Sequence, residues 1–147
     1  MKLSLEIWLA NGWVVKQEPS RQEISDLLGV ADRDLQSCAV PGLSSDWKLA
    51  IAYNAVIALG TAALAAEGYR ASRDSRHYRV VQSLELTLRL PARDLTRLDY
   101  FRKKRNISDY DRAHAVSDVE AGELMRIAVE LRKKAEDWLR KNHPDLM

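Results

Sequence analysis

Cysteine is almost absent from this chain of 147 residues, and that excludes an internal disulfide. The one thiol, Cys38, has no reactive motif around it and reads as a small buried hydrophobe. This usage fits a reducing compartment. Net charge is nearly absent too, at +2, so a nucleic-acid reading has to rest on where charge sits. No stretch alternates in the strand pattern and no internal repeat is found. The first ten residues begin like a signal peptide, but Glu6 and Asn11 interrupt the apolar run and no small-residue cleavage site follows. The most apolar window, 49–66, carries Asn54, Tyr53 and Gly60 among its alanines. It reads as a buried core helix, not a membrane span. The expectation is a soluble cytoplasmic protein with no membrane partner.

What is present is helical periodicity. Residues 3–11 suit a short helix ended at Asn11-Gly12, with Trp8 and Trp13 as apolar anchors. Ser20 and Glu23 match a capping box, and a helix from there should stop at Gly29. A second short helix should cover 31–39. Together these have the outline of a helix-turn-helix over 23–36. A DNA-reading role is opposed by Asp32 and Asp34 against the single Arg33.

Ser44, Ser45 and Asp46 cap a long helix to about Tyr69 that is apolar almost all round and should be central. Asn54 within it either bonds backbone in the core or faces a polar cleft. A helix over 77–89 follows, then one beginning near Pro91 and running into the basic stretch 102–105. The last opens at a second capping box, Ser117 to Glu120, and carries one apolar stripe with oppositely charged pairs such as Arg126/Glu130 on its other face. The fold class is all-α: a four- to five-helix bundle over 44–142, preceded by two or three short helices in 1–43, the whole forming one domain.

The basic stretch carries the chemistry. On an ideal helix Leu98 lies about 20° and Phe101 about 40° from Arg105, so Arg105 shares the inward face. A guanidinium there needs a carboxylate, a phosphate or carbonyls. Arg102 flanks the same side, whereas Lys103 and Lys104 read as surface charges. Tyr110 is about 140° round a continuous helix, so Arg105, Asn106 and Tyr110 converge only if the helix ends near 107–108. A structural alternative pairs Arg105 with Glu85 or Asp99.

Arg105-Asn106-Ile107-Ser108-Asp109-Tyr110 resembles the signature of HEPN domains, the "higher eukaryotes and prokaryotes nucleotide-binding" superfamily. There an arginine, often followed by asparagine, precedes a histidine after a short spacer. Asp46 to Ala55, Gly68-Tyr69-Arg70, His77-Tyr78 and Arg102 to Tyr110 follow the order and spacing of a bacterial branch, over roughly 44–142. The resemblance implies a helical bundle, a homodimer with the motifs facing a shared cleft, RNA or nucleotide as ligand, and no cofactor or metal. It further implies metal-independent endoribonuclease chemistry or a toxin-antitoxin role beside a nucleotidyltransferase partner. The chain departs at the histidine, where Tyr110 stands; a phenol titrating near 10 is a poor base at neutral pH. The candidate catalytic residues are therefore Arg105, Asn106, Tyr110 and a recruited His77, with Arg102 and Asn54 as binding residues. His114 and His143 are weaker histidine candidates, His143 being expected in solvent near the C-terminus. A non-enzymatic helical module that senses a nucleotide or binds a protein is the other reading.

Overall fold

The central 22-residue helix determines how everything else is arranged. The computed structural model describes the backbone of residues 2–110 and 116–147, and side chains of 5–106 and 116–147. Within it α1 is Lys2–Ala10, β1 Val14–Lys16, α2 Arg21–Cys38, α3 Ser45–Ala66, β2 Tyr69–Ala71, α4 Arg76–Ser83, α5 Ala92–Tyr110 and α6 Asp118–Asn142. A short 3-10 turn, Pro144–Leu146, follows. The architecture is all-α, as the periodicity predicts.

Ser44 starts α3 by accepting a hydrogen bond from the Trp47 amide. Leu49, Tyr53, Val56, Leu59, Ala63 and Leu64 are then buried on several faces of the helix. By length and composition α3 could cross a membrane, but 72% of its apolar window is buried inside the bundle. Its neighbours are α2, α4, α5 and α6. Small residues set how closely they come. A Cβ on Gly60 would stand 2.6 Å from Val80 Cγ1 and 3.3 Å from the Val80 carbonyl oxygen. That glycine therefore lets α4 lie against α3.

Residues 21–38 form one helix, not the expected two, which removes the helix-turn-helix outline. Ser20 caps it as predicted, but the Glu23 carboxylate accepts from Gln17 instead of closing the box. The helix continues through Gly29 because Ile24, Leu28, Ala31 and Cys38 form an unbroken stripe against the core. Burial of several side chains outweighs the roughly 1 kcal/mol that a helical glycine costs. Cys38 is buried, as expected, and its thiol donates to the Leu35 carbonyl.

Two further differences are local. The strands β1 and β2 pair antiparallel, Val14 opposite Ala71 and Lys16 opposite Tyr69. Three residues each are too few to show alternation in the sequence. The helix expected over 77–89 is regular only to Ser83. There the Ser83 and Thr87 hydroxyls bond the Val80 and Ser83 carbonyls, and Arg89 closes the segment at φ 60°.

The stripe predicted for α6 is present: Ala121, Leu124, Ala128, Leu131, Ala135 and Leu139 are buried. Ser117 and Glu120 form the full capping box. The charge pairs expected on its outer face do not form among the described residues. Glu136 instead sits between Arg132 (2.8 Å) and Arg140 (3.2 Å), and Arg132 also reaches Asp32 of α2 at 2.7 Å.

Two alanine substitutions test this packing. Gly60→Ala is expected to lower unfolding stability by about 1–3 kcal/mol through the clash with Val80. Gly29→Ala, with open space at its Cβ, should raise it by about 0.5–1 kcal/mol. Denaturant unfolding of the two variants measures both; equal effects would contradict the packing described.

Candidate functional site

Three helices bring cations, an imidazole and a buried phenol together. The contribution of α5 depends on how it is held. Leu95, Leu98 and Phe101 are buried in the core. On one flank Arg97 makes a two-pronged ion pair with Glu123 of α6, at 2.6 and 2.7 Å. Tyr100 donates to Glu120, and Lys104 lies 3.8 Å from the same carboxylate. Lys104 is thus an inter-helix tie, not the plain surface charge expected. These ties fix the rotation of α5 and turn Arg102 and Arg105 towards α3 and α4.

Arg105 is half-buried, and its guanidinium carbon lies 5.6 Å from the Tyr53 ring centre on α3. Arg102 lies 5.4 Å from the Tyr78 ring on α4 and donates to Asp99 at 2.7 Å. Asp99 also pairs with Lys103 at 3.4 Å. Glu85, the other proposed carboxylate partner of Arg105, is exposed and lines an open groove of about 410 Å³ between α4 and α5. The groove meets the cluster at Tyr78 and Asp99.

His77, one helix away from the basic stretch in sequence, enters this cluster. Its ring centre is 5.7 Å from that of Tyr53, with the planes at 54°. The residue as a whole is exposed. Desolvation of the ring, followed by the charges of Arg105, Arg76 and Arg102, holds its pKa below the ordinary 6.5. The imidazole is therefore neutral at neutral pH. Because folding favours the neutral form, its contribution to stability is intact above 6.5. It is lost as pH falls through that value towards the lower folded-state pKa.

Tyr53 is the residue the sequence reading missed. It is 1% exposed, yet its hydroxyl has no hydrogen-bond partner among the described residues. Leaving such a group desolvated costs about 1–3 kcal/mol. Burial drives its pKa upwards, Asp99 adds to the rise, and Arg102 and Arg105 oppose it. The phenol thus stays protonated, a donor close to two guanidinium groups. The signal for it was a phenolic hydroxyl in the middle of a helix whose apolar residues lie almost all round.

The remaining candidates are placed as follows. Asn54 is exposed and donates to the Asp34 carboxylate of α2 at 2.6 Å, so it bonds neither core backbone nor the arginine cluster. Asn106 is exposed on α5. The helix end expected near 107–108 does not occur, since α5 is helical to Tyr110. The backbone positions of 105 and 110 therefore stay about 140° apart. The Tyr110 side chain and all of His114 lie outside the described residues. His143 is half-buried, not solvated: it bonds Glu67 at 2.6 Å and meets Trp138 edge-on. Among the described residues no three His, Cys, Asp or Glu side chains converge as metal ligands. No protein-family model, curated protein or solved structure matches the chain.

The cluster's electrostatics can be checked on one imidazole. His77 should titrate below 6.5, and Arg105→Gln should move its pKa upwards, read from imidazole NMR resonances against pH. An unchanged titration in the variant would show that Arg105 does not act on His77.

Proposed function

We propose that this chain is a HEPN-type RNA- or nucleotide-binding protein whose phosphate site is formed by Arg102, Arg105, His77 and the Tyr53 hydroxyl. The observation that carries this reading is the convergence of two guanidinium groups and a neutral imidazole over a buried phenol that has no partner among the described residues. A phosphate diester satisfies all of them together. Its charge pairs with the arginines, its oxygens accept from the phenol, and the imidazole remains free for proton transfer.

The same arrangement supports metal-independent cleavage of RNA. Neutral His77 is suited to take the proton from a ribose 2′-hydroxyl. The 2′-oxygen then bonds to phosphorus as the bond to the 5′-oxygen breaks. The leaving 5′-oxygen takes a proton from solvent water, and a cyclic phosphate and a 5′-hydroxyl end result, while the His77 imidazolium gives its proton back to solvent. The arginines stabilise charge on the phosphorane oxygens as it develops. In this reading His77 takes the role that the family resemblance gives to a histidine at position 110, where this chain has tyrosine.

Tyr53→Phe separates function from structure at this site. Removing an unsatisfied buried hydroxyl should leave stability unchanged or raise it by about 1–2 kcal/mol. Binding of a dinucleoside monophosphate should weaken by about tenfold, a typical loss for one hydrogen bond to a charged group. Arg105→Ala should abolish that binding, and any RNA cleavage, in a folded protein. Wild-type affinity and cleavage in both variants would refute the assignment.

A further inference from the structure

Many arginines of this protein are committed to carboxylates: Arg33 to Asp34, Arg93 to Asp94, Arg97 to Glu123, Arg102 to Asp99, Arg132 to Asp32 and Glu136, and Arg140 to Glu136. Residues 68–83 carry four more, Arg70, Arg73, Arg76 and Arg79, against the single Asp74. None of these four is in an ion pair among the described residues, and neither is Asp74. Arg70, Arg73 and Arg76 are exposed. Unpaired like charges this close repel one another, and a solvated surface offers little to offset it.

The backbone holds these cations in order. Tyr69 and Ala71 point inwards from β2, so Arg70 between them points out. Ser75 then turns the chain at φ 54° and gives α4 no side-chain cap. The first turn of α4 has no acid, and Arg76 stands at its positive end, where a carboxylate would ordinarily be favoured. Arg79 is held by aromatic faces instead of an acid. Its guanidinium carbon lies 3.9 Å from the Trp13 ring centre, with Trp8 at 5.8 Å and Tyr78 at 5.4 Å. Such stacking restrains the side chain and leaves its N–H edges to donate.

This ridge leads into the cluster described above. Arg79 of the ridge and Arg102 of the cluster each lie 5.4 Å from the Tyr78 ring centre, and Arg76, Arg102 and Arg105 all act on His77, so the end of one surface is the start of the other. The buried Tyr53 hydroxyl at that junction has no partner among the described residues. His77 and Tyr78, both exposed, sit between Arg76 and Arg79, so aromatic rings alternate with the cations there. A run of cations interleaved with rings fits a flexible single strand better than a rigid duplex or a lipid surface.

We infer that Arg70, Arg73, Arg76 and Arg79 form a phosphate track that guides single-stranded RNA into the Arg102–Arg105–His77 site, making the ligand a polymer and not a lone nucleotide. This rests on the phosphate reading of that site.

The test compares a dinucleoside monophosphate with a labelled single-stranded RNA of about 12 nucleotides, using the wild type and the double variant Arg70→Ala/Arg73→Ala. Both changes are at exposed positions away from His77. The double variant should bind the longer RNA about tenfold more weakly. Its slope of log affinity against log salt should be shallower by about 1.4, at roughly 0.7 for each single-strand phosphate that no longer has an arginine to neutralise it. Dinucleotide binding should be unchanged. Dinucleotide binding by the wild type, with equal 12-nucleotide affinity and salt slope in both proteins, would overturn the track and leave the site standing. Failure of the wild type to bind either RNA would overturn both. Tighter binding to phosphatidylserine vesicles or to duplex RNA than to the single strand would also overturn the track.

Discussion

The burial of α3 on several faces is the constraint on which the other elements depend. A helix so enclosed has to let its neighbours approach closely, and Gly60 and the alanines around it do so. It also has to dispose of every polar atom it carries. Asn54 reaches the Asp34 carboxylate, and Thr61 bonds back to the Ile57 carbonyl. The Tyr53 hydroxyl is left buried without a partner among the described residues. A phenylalanine would fill the same space without that desolvation cost, so the hydroxyl is a stability loss located where two other helices deliver guanidinium and imidazole groups. Its position gives the cluster a meaning that its charges alone would not.

The ties between α5 and α6 help to hold this cluster together. The buried stripe of Leu95, Leu98 and Phe101 sets the rotation that turns Arg105 inwards, and Arg97–Glu123 with the Tyr100–Glu120 contact holds it from the flank. Bidentate geometry is what makes such a pair worth having at a half-exposed position. The acids of α6 hold Arg97 and Lys104, while Asp99 of α5 itself holds Arg102 and Lys103.

Much of this was legible before any coordinates. The inward face of Arg105 followed from its angular distance to Leu98 and Phe101, and the stripe of α6 from its three-and-four spacing. The central helix was evident from apolar residues on all sides. What was hidden depended on tertiary packing. Gly29 looked like a stop because its local cost is visible in the sequence and the stripe that overrides it is not. The helix end proposed after Asn106 rested on poor interior residues at 106, 108 and 109, yet α5 continues through them. Tyr53 was read only as a mark of a core helix, since periodicity does not distinguish a ring from its hydroxyl. His77 could be nominated from the sequence, but its neighbours, Tyr53 from one helix and Arg105 from another, could not.

The central claim is that His77 and the two arginines receive a phosphate diester together. Imidazole resonances of His77 and His143 can be followed just below pH 6.5 while a dinucleoside monophosphate is added. A bound diester screens the arginine charges, so His77 should shift towards the imidazolium form as the ligand saturates. His143, bonded to Glu67 on another part of the fold, should not move. A His77 signal that stays still at saturating ligand, or that moves only in step with His143, would contradict the account.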